Sequence, residues 1–541
     1  MSTIEERTAA REAELIQRLA EERAALADAD VPADEQERAQ QAEQMRAAAV
    51  QAVDSMSKDD LDKLINSRRL LAGVAQNMQF DEARGELGLA DQFTAYAFGR
   101  HFRYVADAKR WTRYDDRCGI YIDAEDDAAE LAKCTIQYAV DRARRALRLA
   151  TRAGTPDEVR AANNALAQAR KLQRAATIQA ILKAASTSPL LRVELRLFDS
   201  NRDELVVRNG VIDLRTGQLR PHSPNNYARK SAGAAYDPDA QCPKWEAFLL
   251  EVMRGDLDAV RYMQRILGYT LTGHVREEVM FFAYGGGANG KSVMANVQQH
   301  LMGDYYVRVS GDFLMTQPQS SREAATPGLV SIAGARLVSV NEVESTAKFS
   351  GQQVKMLVST ESISARPLYG KPFDFFPTHK LWVRGNHKPI VHETDHGFWR
   401  RMHLIPFLRT FSKEEQNPNL QQELLEELPG ILRWAVDGAR AWYAEGRLMP
   451  AAAVAAATAE YQSDSDLIER WLTESLRRVP DATADAAKVY DDYCKWAEEE
   501  NIRPMSRPAL TRRLADKGIT AERRKVNGVL TKLYVGIERP F

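Results

Sequence analysis

Apolar positions change period several times along the chain. In residues 1–60, Leu15, Ile16, Leu19 and Leu26 recur at near-helical spacing in an Ala-, Glu-, Arg- and Gln-rich background that Pro32 interrupts. That pattern predicts one or two solvated helices, with a coiled-coil or partner-binding arm as the alternative. Residues 80–240 mix both periods. Residues 125–185 read as two long helices separated by Gly154, Thr155 and Pro156, with Thr155 as cap and Pro156 in the first turn of the second. LVVRNGVIDLRTGQL predicts two short strands, with a hairpin signal at Asn209-Gly210 and a second turn at Thr216-Gly217. Residues 243–274 read as helices with apolar faces. Short, almost wholly apolar runs follow at Val279–Tyr284, Leu337–Val340, Leu381–Val383 and Met402–Phe407. Runs of that length predict buried strands. Residues 412–475 return to helical spacing. The last stretch predicts a small winged-helix unit. One helix is KVYDDYCKWAEEENI; a second has Ser506 as N-cap, Pro508 early and Gly518 at its end; two strands close it.

The pattern gives a multidomain α/β chain. Its expected parts are a charged helical arm over 1–79, an N-terminal α/β domain over 80–242 and a helical collar over 243–274. A motor over 275–411, a helical lid over 412–480 and a winged-helix-like DNA-binding domain over 481–541 complete it. The length of 541 residues fits several domains. With 44% hydrophobic and 28% charged residues the chain can bury cores. Its net charge of −1 means that any nucleic-acid contact must be local. Cys118, Cys134, Cys242 and Cys494 form no Cys-x-x-Cys pair, which excludes a disulfide framework and a zinc knuckle and fits reduced thiols in a cytoplasm, here expected to be that of a bacterial host. The charged start, MSTIEERTAAREAELI, has no signal-like apolar core, and no run approaches the roughly 18 apolar residues of a membrane span.

The strongest chemical signal is GGGANGKS. Gly285, Gly286, Gly287, Ala288, Asn289, Gly290, Lys291 and Ser292 fit G-x-x-x-x-G-K-S, between a predicted strand and a predicted helix that begins near Val293. Glycines let backbone N–H groups curl around phosphate oxygens, and the helix N-terminus adds positive potential. Lys291 would reach the β- and γ-phosphates of ATP, and Ser292 would hold Mg2+. The next strand ends in Asn341, Glu342 and Glu344. Glu342 is the candidate to polarise the attacking water and to share the metal, and Glu344 can share the metal role. The usual Asp-Glu pair is here Asn-Glu. LWVRGNHKP places Asn386 at a strand end, where a polar side chain can sit between γ-phosphate and water. DHGFWRRMHLIPF supplies Arg400 and Arg401, candidate transition-state cations for a neighbouring subunit, with an intrasubunit salt bridge as the plain alternative. ARPLYGKPFDFFP predicts a hairpin with Lys371 at its tip, placed for a DNA phosphate.

Two further patches are weighed for nucleic acid. Aromatic and basic residues interleave over QFTAYAFGRHFRYVADAKRWTRYD, which is read first as the aromatic core of a small sheet. In the last domain Arg507, Arg512, Arg513, Arg523, Arg524 and Lys525 outnumber nearby acids and suit phosphate contact, against a solvated basic face or protein-docking module.

GGGANGKS, RLVSVNEVES, LWVRGNHKP and DHGFWRRMHLIPF, in this order and spacing, resemble the superfamily 3 helicases, in the phage/plasmid primase-helicase branch that includes poxvirus-type NTPases. LFDSNRDELVVRNGVIDLRTGQLRPHSPNNYARK resembles the region that precedes the motor there. The likeness covers about residues 85–475. It implies an AAA+-like fold, homo-hexameric rings, ATP sites between subunits and 3′-to-5′ movement on single-stranded and forked DNA. It implies nucleotide and Mg2+ binding by Gly290, Lys291 and Ser292. It also suggests Glu342 and Glu344 as acids, Asn386 as sensor and Arg400 or Arg401 as finger, in the replication of a phage, prophage or mobile element. One departure stands out. No Asp-x-Asp pair lies on a strand in residues 80–240, so no primer synthesis is expected, and a separate primase or polymerase would supply it. A P-loop ATPase that remodels or loads replication proteins, and a nucleotide-switched DNA-binding initiator, remain alternatives.

Overall fold

The computed structural model describes residues 85–315, 326–341, 349–368, 370–389, 391, 396–500, 504–526 and 529–539. The expected arm over 1–79, together with Glu342 and Glu344, lies outside the described residues. The chain forms two compact units, one of residues up to 114 with 121–197 and one of 115–120 with 198–541.

The first unit opens with helix α1 (Gly85–Gly99) and strands β1 (Phe102–Val105), β2 (Arg110–Asp115) and β3 (Ile120–Asp123), then helices α2 (Glu125–Ala153), α3 (Pro156–Lys171) and α4 (Ala175–Ala185). The short strand β4 (Arg192–Val193) pairs in parallel with β1, giving a sheet of order β3-β2-β1-β4. Phe93, Phe102, Trp111 and Tyr114 are buried, so these aromatics form core as first read. Thr155 caps α3 with a reciprocal box: the Glu158 N–H donates to the Thr155 hydroxyl, and the Thr155 N–H donates to the Glu158 carboxylate at 2.6 Å. The two helices expected over 125–185 are three. No Gly or Pro marks the second break at Leu172–Arg174. It arises because α3 packs Leu166 and Ala169 on α2, whereas α4 turns Ile181 and Ala185 into the core with α1.

The second unit begins with a meander of β5 (Glu204–Val207), β6 (Gly210–Asp213) and β7 (Leu219–Arg220). It starts inside the stretch 80–242 that was expected as one domain. The reason is packing: Leu205, Val207, Ile212 and Leu214 join the core of the helices that follow. The first turn is Arg208-Asn209, with Gly210 already in β6, one residue earlier than the sequence signal. Helices α5 (Pro243–Val252) and α6 (Leu257–Leu271) lead into β8 (Met280–Tyr284), α7 (Lys291–Met302), β9 (Tyr306–Ser310), the short α8 (Pro327–Ile332), β10 (Leu337–Asn341), α9 (Gly351–Val358), the hairpin β11 (Ile363–Ala365) and β12 (Phe373–Phe375), β13 (Lys380–Gly385), α10 (His396–Trp399) and β14 (Met402–Pro406).

Five of these strands form one parallel sheet, order β14-β8-β13-β10-β9. Alternation divides its side chains between two cores. Phe281, Ala283, Leu337, Trp382 and Ile405 face one, and Met280, Phe282, Val338, Leu381, Val383 and Leu404 the other. That is why the central strands read as continuous apolar runs.

Buried cations fasten α6 to this sheet. The Arg336 guanidinium donates to the carbonyl of Leu271 and, at 2.6 Å, to that of Glu204. The Lys380 ammonium donates to the carbonyls of Thr272 and, at 3.1 Å, His274, and lies over the Tyr269 ring. These groups sit where the end of a helix carries negative potential. Burial still holds Lys380 well below the usual lysine range.

Helices α11 (Leu420–Glu426), α12 (Leu428–Glu445), α13 (Ala452–Ser465) and α14 (Leu467–Ser475) follow. The C-terminal part adds β15 (Arg477–Asp485), α15 (Ala486–Glu499), α16 (Arg507–Asp516), β16 (Thr520–Val526) and β17 (Val529–Glu538), with sheet order β15-β17-β16. β15 was not expected: it is polar, largely exposed and irregular in register. Ser506 stands at the N-cap of α16 but its side chain makes no capping bond.

Candidate functional site

All five strands of the central sheet run the same way, so their C-terminal ends share one edge. β8 ends there and the chain turns through residues 285–290 into α7. The turn needs two of its glycines. A Cβ on Gly285 would lie 2.1 Å from the Phe407 carbonyl oxygen, and Gly290 has φ +86° with Phe248 beside it. Asn289 donates to the Phe407 carbonyl at 3.1 Å, and the Phe411 N–H donates to the Ala288 carbonyl at 2.8 Å. The loop is thus fixed to the segment that leaves β14.

Lys291 is the first residue of α7. Its ammonium donates to the carbonyls of Gly285 at 2.7 Å and Gly286 at 2.8 Å and to Asn289 Oδ1 at 2.9 Å. Burial, and after it the positive charge of Arg384, push its pKa down to about 8. Gly286, Gly287, Ala288 and Ser292 are exposed around it, and Val293 is half-buried.

The neighbouring strands bring polar residues to the same edge. Arg384, in β13, donates to Asn341 Oδ1 at the end of β10, and the Ser339 hydroxyl donates to the same oxygen at 3.4 Å. Asn386 follows β13 and is exposed. Lys388 lies over the Tyr284 ring and binds Glu460 and Asp464 of α13, tying the segment after β13 to the strand that feeds the loop. Among the described residues no group of three or more His, Cys, Asp or Glu could hold a metal.

Arg400 and Arg401, before β14, both pair with Glu278 of their own chain, at 3.2 and 2.6 Å. They are not equivalent. The Arg401 side chain is 12% exposed and also donates to the Gly397 carbonyl, whereas that of Arg400 is 54% exposed. Lys371 is exposed in the connection between β11 and β12.

In the C-terminal sheet Arg523 lies opposite Lys532, and Lys525 opposite Leu530. Lys532 donates to Thr511 of α16, which sets Arg523 and Lys525 on the face that carries that helix. Arg524 points the other way and pairs with Glu522 at 2.8 Å. Arg507, Arg512 and Arg513 belong to α16, with Arg507 over the Tyr490 ring.

Sequence reading missed Arg384, Glu278 and Lys388. Only Arg384 left a signal, a charge interrupting the apolar run of a central strand.

Residues 91–254 match the family described as D5 N terminal like. A protein of Acanthamoeba polyphaga mimivirus with a provisional helicase name is 28% identical over 324 residues, covering 56% of this chain and 33% of the relative. A Frog virus 3 protein, also provisionally named a helicase, is 27% identical over 253 residues, 44% and 26% of the two chains. African swine fever virus proteins with a provisional primase name are 22% identical over 326 residues, 56% of this chain and 34% of theirs. Over these stretches the chain is similar to the D5 N terminal like family and to viral proteins with provisional helicase or primase names. Its match spans about a third of the length of these curated relatives. Among solved structures, the apo C-terminal region of NrS-1 aligns over 66% of this chain and 89% of its own at 12% identity, with a TM-score of 0.39. No helix among the described residues is long and apolar enough to cross a membrane.

Proposed function

We propose that this chain is an ATP-hydrolysing, ring-forming DNA helicase of viral-type replication, built on an AAA+-like motor with a winged-helix-like C-terminal domain. The observation that carries the reading is the Lys291 ammonium, held in a glycine loop between β8 and α7 at the common C-terminal edge of a parallel sheet. That is where open α/β sheets bind phosphate groups. The β- and γ-phosphates of ATP would take the ammonium from the three oxygens that now hold it. Mg2+ would be held by the exposed hydroxyl of Ser292 with Glu342, and would supply positive charge to the phosphates. Glu342 would draw a proton from the attacking water, Asn386 would orient that water, and the bond from the γ-phosphorus to its bridging oxygen breaks as ADP leaves.

A homo-hexamer would complete each site with a cation from the next subunit. Arg400 suits that role because it is exposed; Arg401 is better read as its support on Glu278. Lys371 would grip a backbone phosphate of single-stranded DNA inside the ring. Arg507, Arg512, Arg513, Arg523 and Lys525 would hold duplex DNA, with Arg524 peripheral. Movement would run 3′-to-5′. Primer synthesis would fall to a separate primase or polymerase.

Strand separation on forked DNA tests the proposal. With ATP and Mg2+ a fork with a 3′ tail is expected to open, and the Lys371→Ala protein to leave it paired while still turning over ATP. A wild-type protein that hydrolyses ATP but separates neither 3′- nor 5′-tailed forks would overturn the helicase reading.

A further inference from the structure

A concentration of positive charge lies in the first unit, on the hairpin of α2 and α3. Residues 141–174 hold nine Arg and Lys against three Asp and Glu, in a chain whose net charge is −1. Val140, Ala143 and Leu147 of α2 pack on Leu166 and Ala169 of α3. Arg144, Arg148 and Arg152 recur every fourth residue along α2 with Arg145 beside them, and all four are exposed. The Gln173 amide donates to Gln137 at 3.1 Å across the base of the hairpin. Gln137 stands two turns before Arg144, so the row lies on the side where Gln173 crosses. The exposed Arg170, three residues before Gln173, shares that side. Arg142 is on the opposite face of α2 and takes no part.

The three acids of the hairpin are engaged locally. Asp141 pairs with Arg144 at 3.1 Å, Asp157 with Arg160 at 3.5 Å, and Glu158 closes the Thr155 cap. Like charges one turn apart repel and weaken a helix. The helix dipole favours cations in the last turn, which accounts for Arg152 and Arg170 but not for Arg145 and Arg148 further in. A polyanion lying along the row relieves that repulsion. Residues 139–174 contain no Phe, Trp or Tyr, so this face has no ring on which unpaired bases could stack. What it can meet is a phosphate backbone, and a fixed row of cations suits the regular backbone of a duplex.

We propose that this side of the α2–α3 hairpin is a sequence-independent binding surface for the phosphate backbone of duplex DNA, with Arg145, Arg148, Arg152 and Arg170 as its contacts. The inference depends on neither the nucleotide site nor the C-terminal basic face.

The test measures binding of the full chain to a labelled duplex over a salt series, without nucleotide. Replacing Arg145, Arg148, Arg152 and Arg170 together by Ala, the strongest helix former, is expected to preserve the hairpin. It should make the plot of log affinity against log salt shallower by about three and weaken binding at low salt by about tenfold or more. The same four positions as Lys keep the charge and are expected to keep the slope. Should the Ala variant not fold, Arg148→Gln with Arg152→Gln is expected to make the slope shallower by about two. An unchanged slope in a folded variant overturns the inference, and loss of binding to anionic-lipid vesicles in its place would give the face to a membrane surface. A wild-type protein that binds no duplex overturns it too, while ATP turnover still tests the motor separately.

Discussion

The Lys291 ammonium lies 2.9 Å from Oδ1 of Asn289, inside the turn that both residues help to form. With two loop carbonyls this completes a three-oxygen seat for a lysine whose pKa is held near 8, far below the ordinary 10.5. Bound phosphate favours the charged form. Nucleotide affinity is therefore expected to be flat below about pH 8 and to fall as pH rises through that value. ADP titrations across that range check it, and Lys291→Arg should remove the inflection because arginine does not deprotonate there. A flat wild-type profile would contradict this.

Arg400 and Arg401 share Glu278 yet should separate cleanly on mutation. Arg401→Ala loses two hydrogen bonds of a side chain that is largely covered, and is expected to cost about 1–3 kcal/mol of stability. Arg400→Ala breaks an exposed pair and is expected to cost less than about 1 kcal/mol. Its loss should instead show in ATP turnover by the assembled protein, at least a hundredfold if it reaches a neighbour's phosphate. Denaturation midpoints and turnover of the two variants decide the roles. Equal loss of turnover at full stability in both would refute the division.

How α6 meets α12 gives a structural prediction. A Cβ on Gly268 would lie 2.1 Å from the backbone nitrogen of Ala439, and one on Gly438 2.1 Å from the Gln264 carbonyl oxygen. Backbone cannot yield as a flexible side chain can. Gly268→Ala is expected to lower the unfolding free energy by about 1–3 kcal/mol, whereas Gly446→Ala, with open space but φ +74°, carries only local strain. Denaturant titration of both variants would show it, and a silent Gly268→Ala would mean that the helices separate without cost.

For the C-terminal sheet the expectation concerns sidedness. Arg523→Ala combined with Lys525→Ala should reduce the steepness of the log affinity against log salt plot by roughly two phosphate contacts' worth for duplex DNA. Arg524→Ala, on the opposite face and already paired with Glu522, should leave it almost unchanged. Filter binding over a salt series measures this. A larger effect from Arg524 would place the DNA on the other face.

These cases show what the sequence could and could not carry. β8, β10, β13 and β14 were legible because strands buried on both faces are written as apolar runs, and the glycine loop because its chemistry is local in sequence. β9 was not, since only Val309 of its five residues is buried. β15 carries Pro480 and a register shift and shows no alternation. The break before α4 depends on which core each helix serves. Arg384 and Lys291 are 93 positions apart, and only the parallel register of β13 beside β8 brings their charges together. Glu278 was unreadable for the same reason, since its partners lie 122 and 123 positions later in sequence.

Steady-state ATP hydrolysis by the full chain, with and without single-stranded DNA, tests the central claim most directly. The account expects Mg2+-dependent turnover that DNA stimulates and that Lys291→Ala abolishes without unfolding the protein. Turnover that survives Lys291→Ala, or a folded wild-type protein that leaves ATP intact under all of these conditions, would contradict it.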